Sequence, residues 1–148
     1  MNKVQTAVDR IPDIRRQVAE ELSPDIVEAN REQLMKGLDA DDNPISPAYS
    51  PYTRHVKASK GLPTDKVTLF DTGAFHEGIF SEVQGDEIII DSKDPKSDGL
   101  KERYGERIFG IGSEATESLR ELSARKIVKV IREITGFWTF LYTSSFKD

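Results

Sequence analysis

The 148-residue chain contains no cysteine, which excludes a disulfide framework, a thiolate nucleophile, an iron–sulfur cluster and any cysteine-based zinc site. Histidine is nearly absent too. With only His55 and His76, multi-histidine metal centres and HExxH motifs are out, and no metal or cofactor is expected. No run of 18 apolar residues occurs, and the opening MNKVQTAVDRIPDIRRQ carries charges throughout. It therefore reads as neither a signal peptide nor a membrane span, and the expectation is a soluble protein. There is one tryptophan, Trp138, close to the carboxy-terminal end. The net charge of −5 weighs against a nucleic-acid binder, which usually concentrates basic side chains on one surface.

What is present is helical at both ends and β-like in the middle. A length near 150 suits one domain, taken as residues 1–148. Over residues 1–37, Val4, Ala7, Val8, Ile11, Ile14, Val18 and Leu22 recur at three- and four-residue steps along one helix face. Pro12 implies a kink or a restart. Ser23-Pro24 looks like a second start with Ser23 as N-cap, ending at Gly37. Residues 38–65 hold four of the seven prolines; Pro44, Pro47 and Pro51 exclude a regular helix over 44–51. With Tyr49 and Tyr52 to bury, this stretch reads as an ordered extended loop or arm that lies on the surface or reaches a neighbour.

The sheet region is expected over 66–112. KVTLF (66–70) and FHEGIFSEV (75–83) alternate, the latter with Phe75, Ile79 and Val83 on one side and Phe80 on the other. A turn at Gln84-Gly85-Asp86 leads into the β-branched EIIID (87–91), a hairpin pattern. The segment 100–112 reads as helix to Tyr104 and then a short strand through Ile108 and Ile111. His76 falls one residue off the apolar side of its strand, where exposure or a single hydrogen bond is the default. From Ser113, read as its N-cap, to Gly136 runs a long amphipathic helix of roughly 33 Å. Residues 137–148 form an aromatic tail with five of the chain's twelve aromatic residues. Phe137, Trp138 and Phe140 there, with Tyr49 and Tyr52 in the arm, are the candidate interface residues. The fold class is α+β: amino-terminal helices, a small antiparallel sheet built around a hairpin, and a long carboxy-terminal helix.

Three motifs invite chemistry. Leu69-Phe70-Asp71-Thr72-Gly73-Ala74 resembles the active-site loop of retropepsin-like aspartic proteases, homodimers in which two carboxylates share a proton. The helical ends and the early Ile108-Phe109-Gly110 do not suit that fold. Asp71 and Gly73 read better as a structural turn, Asp capping and Gly taking positive φ. Asp39-Ala40-Asp41-Asp42-Asn43 starts like a calcium loop, yet Pro44 and Ser50 stand where Gly and Glu belong, leaving an Asx turn. Arg54, His55, Lys57 and Lys60 beside Tyr49 and Tyr52 could grip phosphates, so a small nucleic-acid-binding accessory domain is a further alternative. No catalytic constellation emerges, and the chain is not expected to be an enzyme.

The order of segments carries a resemblance. Gln33 to Ile45 (QLMKGLDADDNPI), Tyr49-Ser50, Lys60-Gly61, Leu69 with Asp71-Thr72-Gly73, then Tyr104-Gly105 and Ile108-Phe109-Gly110 together resemble the tailed-phage virion-morphogenesis family of tail-completion and head–tail joining proteins. The resemblance covers roughly residues 20–135. It implies a structural protein of the neck or tail end, present in the virion after assembly in the host cytoplasm. Its partners would be other copies of itself in a ring and the portal, connector, neck or tail proteins of the particle. DNA would at most pass through a channel, and no membrane would be involved.

Overall fold

Pro12 and Pro24 each open a helix, so the amino-terminal third is divided into α1 (Lys3–Asp9), α2 (Ile11–Glu21) and α3 (Ser23–Lys36). Proline at the first turn sacrifices no intrahelical hydrogen bond and presets φ. Gly37 ends α3 in the left-handed conformation at φ 77°, where a side chain would be strained. The computed structural model describes residues 2–136. The predicted aromatic tail, with Phe137, Trp138 and Phe140, lies outside the described residues.

Beyond α3 follow α4 (Pro51–Ser59), the one-turn α5 (Ala74–Glu77), β1 (Ile79–Gln84), β2 (Glu87–Ser92), α6 (Ser97–Tyr104), a 3-10 turn (Glu106–Ile108) and α7 (Ser113–Thr135). The protein is α+β. Its sheet is an antiparallel hairpin in which Ile79 faces Ser92 and Gln84 faces Glu87, across the two-residue turn Gly85-Asp86. Gly85 sits at φ 61°, as a tight hairpin turn requires.

Two apolar clusters hold these elements. Leu34, Ile45, Tyr49, Val67, Leu69, Phe75, Ile79 and Ile108 form one, beneath α3 and the loops around it. Ile14, Val18, Leu22 and Ile26 form the other, on the α2–α3 side facing α7. Ile90 of β2 packs against both. The helix α7 closes the second cluster with Leu119, Leu122, Ile127, Val130, Ile131 and Ile134, yet none of its 23 residues is fully buried.

Several expectations need correcting. Residues 38–65 are not an arm: Ile45 and Tyr49 belong to the first cluster, and 51–59 is helical. Pro51 excludes helix only before itself; Ser50 accepts a hydrogen bond from Thr53 N at 3.1 Å and caps the helix that Pro51 opens. The 66–70 segment is not a strand. Val67, Thr68 and Leu69 are all buried, so burial does not alternate, and Leu69 at φ 53° breaks the extended run. Phe75 is carried by α5 rather than by the strand, and 106–108 is a 3-10 turn where a strand was expected.

Neither Ser23 nor Ser113 is an N-cap. The Ser23 hydroxyl bonds that of Ser81 in β1 at 2.5 Å, tying α3 to the sheet. Ser113 is the first residue of α7, and its backbone N–H (2.9 Å) and hydroxyl (2.7 Å) both donate to Asp42 Oδ2. The cap of the longest helix thus comes from a loop 71 residues earlier.

Candidate functional site

The loop carrying Asp71 and Gly73 is organised by Tyr49. Its phenolic oxygen accepts hydrogen bonds from the N–H groups of Thr68 and Leu69, each at 3.0 Å. These two donors are buried, and among the described residues no strand pairs with this segment to satisfy them. The same contacts hold Leu69 in its left-handed conformation, which costs a non-glycine residue about 1 kcal/mol or more. Beside the ring, Lys57 is only 6% exposed. Its Nζ donates to the Phe70 carbonyl and lies 4.7 Å from the centre of the Tyr49 ring.

His76 closes the other side of this loop. It is 5% exposed, and Nε2 lies 2.8 Å from the Thr68 carbonyl. A carbonyl can only accept, so Nε2 carries the ring proton. Burial pushes the imidazole below its ordinary value, opposed by the Thr68 bond and reinforced by Arg31 and Lys57. Phe70 and Phe75 meet its ring edge-on, at 5.4 and 5.9 Å between centroids. The backbone of the same turn is fixed from α3, where Arg31 Nε donates to the His76 carbonyl at 2.7 Å and a terminal nitrogen to Glu77 O at 3.1 Å.

Asp71 stands at the rim of a cavity of about 240 Å³, lined by Tyr49, Lys57, Leu69, Phe75, Lys96 and Tyr104 among others. Lys60 Nζ meets Asp71 Oδ1 at 2.6 Å, and that bond holds the carboxyl below the usual carboxylate range. A shared-proton dyad needs the reverse, one carboxyl kept protonated at neutral pH. Gly73 takes the left-handed conformation at φ 95°, but the hydroxyl that bonds across the turn is Thr72's, reaching Ala74 N at 3.4 Å, not the Asp71 carboxylate. Asp39 forms an Asx turn, its Oδ1 accepting from Asp41 N at 2.9 Å and Asn43 N at 3.0 Å. Among the described residues no group of three or more His, Asp or Glu is placed to hold a metal, and no helix is long and apolar enough to cross a membrane.

Of the candidate interface residues, Tyr49 and Tyr52 lie among the described residues. Tyr49 is the correction among them: at 7% exposed it is a core residue, whereas Tyr52, three positions on, is 78% exposed. The basic run is likewise broken up, with Lys57 buried, Lys60 paired to Asp71, and Arg54 and His55 at the surface.

A larger concavity lies elsewhere. Between α2, the hairpin tip and the first half of α7 runs an open groove of about 590 Å³. Val18, Leu22 and Ile26 make its floor, Leu119 and Ile127 one wall, and the hairpin tip with Ile88, 43% exposed, its end. Arg15, Arg16 and Arg120 stand around it. Among the described residues, Arg16 and Arg120 pair with Glu20 and Glu117 of their own helices, at 3.5 and 3.2 Å. Such exposed pairs are weak and are readily exchanged for another partner. The sequence marked α7 as amphipathic but carried no sign that Leu119 and Ile127 of its stripe would also line a groove. An apolar groove with Arg15, Arg16 and Arg120, and Asp86 and Glu87, around it can accept apolar and aromatic side chains. No protein-family model, curated protein or solved structure matches the chain.

Proposed function

We propose that this protein is a structural assembly protein of a tailed-phage particle, acting at the neck or tail end as a tail-completion or head–tail connector ring subunit. The observation that carries the reading is α7: a 23-residue helix with an apolar stripe and no fully buried residue, bordering an open groove. An amphipathic helix is stable when its stripe is covered, and a ring subunit can cover it with a neighbouring copy through a heterologous contact. The segment order from Gln33 to Gly110 and the exposed Tyr52 support the same reading. In it the chain makes no bonds. Its partners are other copies of itself and the portal, connector, neck or tail proteins, and its net charge of −5 suits a rim past which DNA moves without adhering.

The test is localisation in particles. Antibody raised against the purified chain and coupled to gold should label intact virions at the vertex where head meets tail. Purified virions free of the chain by mass spectrometry would overturn the proposal.

A further inference from the structure

We infer that the cavity of about 240 Å³ beside the Asp71 loop binds a small aromatic carboxylate, with the buried Lys57 ammonium as its counterion. The site is distinct from the groove along α7 and does not depend on assembly.

Three cations line this cavity: Lys57, Lys96 and Arg103. Among the described residues none of them makes an ion pair, although 26 acidic side chains outnumber 21 Lys and Arg in the chain. The two carboxylates in the lining are engaged with other groups. Asp71 feels the charges of Lys57 and Lys96, but its bond goes to Lys60 at 2.6 Å. Asp94 Oδ1 accepts from the Lys96 backbone N–H at 2.8 Å. Lys57 is the decisive cation because it is buried. An ammonium has three N–H donors, and the Phe70 carbonyl takes one. The Tyr49 ring face, 4.7 Å away, offsets part of the charge. A buried charge with no opposite charge beside it is costly, so an anion gains more by pairing here than at an exposed lysine.

The walls select the rest of the ligand. Tyr49, Leu69, Phe75, Leu100 and Tyr104 present ring and aliphatic surface. An apolar cavity of ~150 Å³ accepts benzene, and drug-sized ligands occupy about 300–1,000 Å³. A cavity of about 240 Å³ therefore suits one ring with a carboxylate. Lys96 and Arg103 are exposed parts of the lining, where they steer an anion inward. A phosphate carries about −1.5 to −2 charges near neutral pH, more to desolvate among apolar walls and more to be repelled by Asp71 and Asp94. A carboxylate carries one.

The probe is sodium benzoate, titrated into the full-length chain and followed by calorimetry and by amide NMR spectra. It should saturate with a Kd below ~10 mM, as a ligand of so few atoms allows, and move the amides of Leu69, Gly73 and Leu100. Benzamide keeps the ring and loses the charge, whereas acetate keeps the charge and loses the ring. Each should bind ~10-fold or more weakly than benzoate. Lys57→Met keeps the stem and removes the ammonium; it should weaken benzoate ~10-fold or more, with helix content by circular dichroism unchanged. Arg103→Glu reverses an exposed charge and should weaken benzoate ~3-fold or more; it decides should Lys57→Met misfold.

Absence of saturation, or amide shifts gathered away from this cavity, would overturn the site. Benzamide, acetate or inorganic phosphate binding as tightly as benzoate would overturn the ligand class. Unchanged benzoate affinity in a folded Lys57→Met chain would overturn the counterion, as it would in Arg103→Glu if the first variant does not fold.

Discussion

Tyr49 and Tyr52 are three residues apart and do opposite things. The Tyr49 oxygen is the partner of two buried backbone donors, whereas the Tyr52 ring stands in solvent. Tyr49→Phe keeps the ring and strands both N–H groups, each at a cost of about 1–3 kcal/mol. Urea denaturation should therefore show a loss of about 2–6 kcal/mol, while Tyr52→Ala should stay within about 0.5 kcal/mol of the parent. The tyrosines were legible as residues with something to bury. Which of them is buried depends on the donors at 68 and 69, and no local pattern marks those as lacking a strand partner.

His76 gives a pH dependence whose sign follows from its burial. Its native pKa is depressed, so between that value and the ordinary ~6.5 of an unfolded histidine the unfolded chain holds more protons than the native one. Stability is complete above about pH 6.5 and falls as pH drops below it. In chemical denaturation from pH 7.5 to 5, His76→Gln should flatten that decline. The carboxylates of Asp71 and Asp91, also held low, act in a separate window, their contribution being lost as pH falls below about 4.

At the scale of elements, the helices were legible where proline, serine and glycine mark their ends. Pro12, Pro24, Gly37 and Gly136 stand at the boundaries the sequence indicates. The same logic applied to Ser50-Pro51 finds α4, once proline is read as a start rather than only as a barrier. The hairpin and its turn were equally plain. The connections between elements were not, because polar side chains far apart in sequence make them. Asn30, fully buried in α3, donates to the carbonyls of Ile108 and Gly110 at 3.0 and 2.7 Å. Gln33 accepts from Gly112 N, and Asp42 caps α7 through Ser113.

Gly112 sits inside that junction. A methyl group there would collide with the Asp42 carboxylate and crowd the Gln33 amide oxygen, so the glycine answers to space rather than to φ. Gly112→Ala should cost about 1–3 kcal/mol in thermal or chemical unfolding, in line with overpacked sites. Gly85→Ala, with open space around its Cβ, is the control that isolates the backbone strain of a hairpin glycine.

At the scale of the whole molecule, fold class was readable and the candidate contact surface was only half so. The stripe on α7 and the aromatic tail are both visible in the residue pattern. The groove is not, because it arises from α2 and the hairpin tip flanking α7, an arrangement that periodicity along one helix does not encode. Asp71 shows the converse. DTG drew attention as chemistry, and its carboxylate turns out to be spent on an ion pair with Lys60.

The junction of α3, the 39–43 loop and the start of α7 also governs the order of events during synthesis. Its bonds join positions 66 to 80 residues apart, from Asp41 with Arg107 to Asn30 with Gly110. Loop closure over such spans must precede any reward, which slows the search for the native state. A nascent chain that has emerged only to its midpoint carries Asn30, Gln33 and Asp42 with their mates still inside the ribosome. For that interval Ile14, Val18, Leu22 and Ile26 lack the α7 residues that pack on them in the finished fold, an apolar surface exposed while synthesis continues.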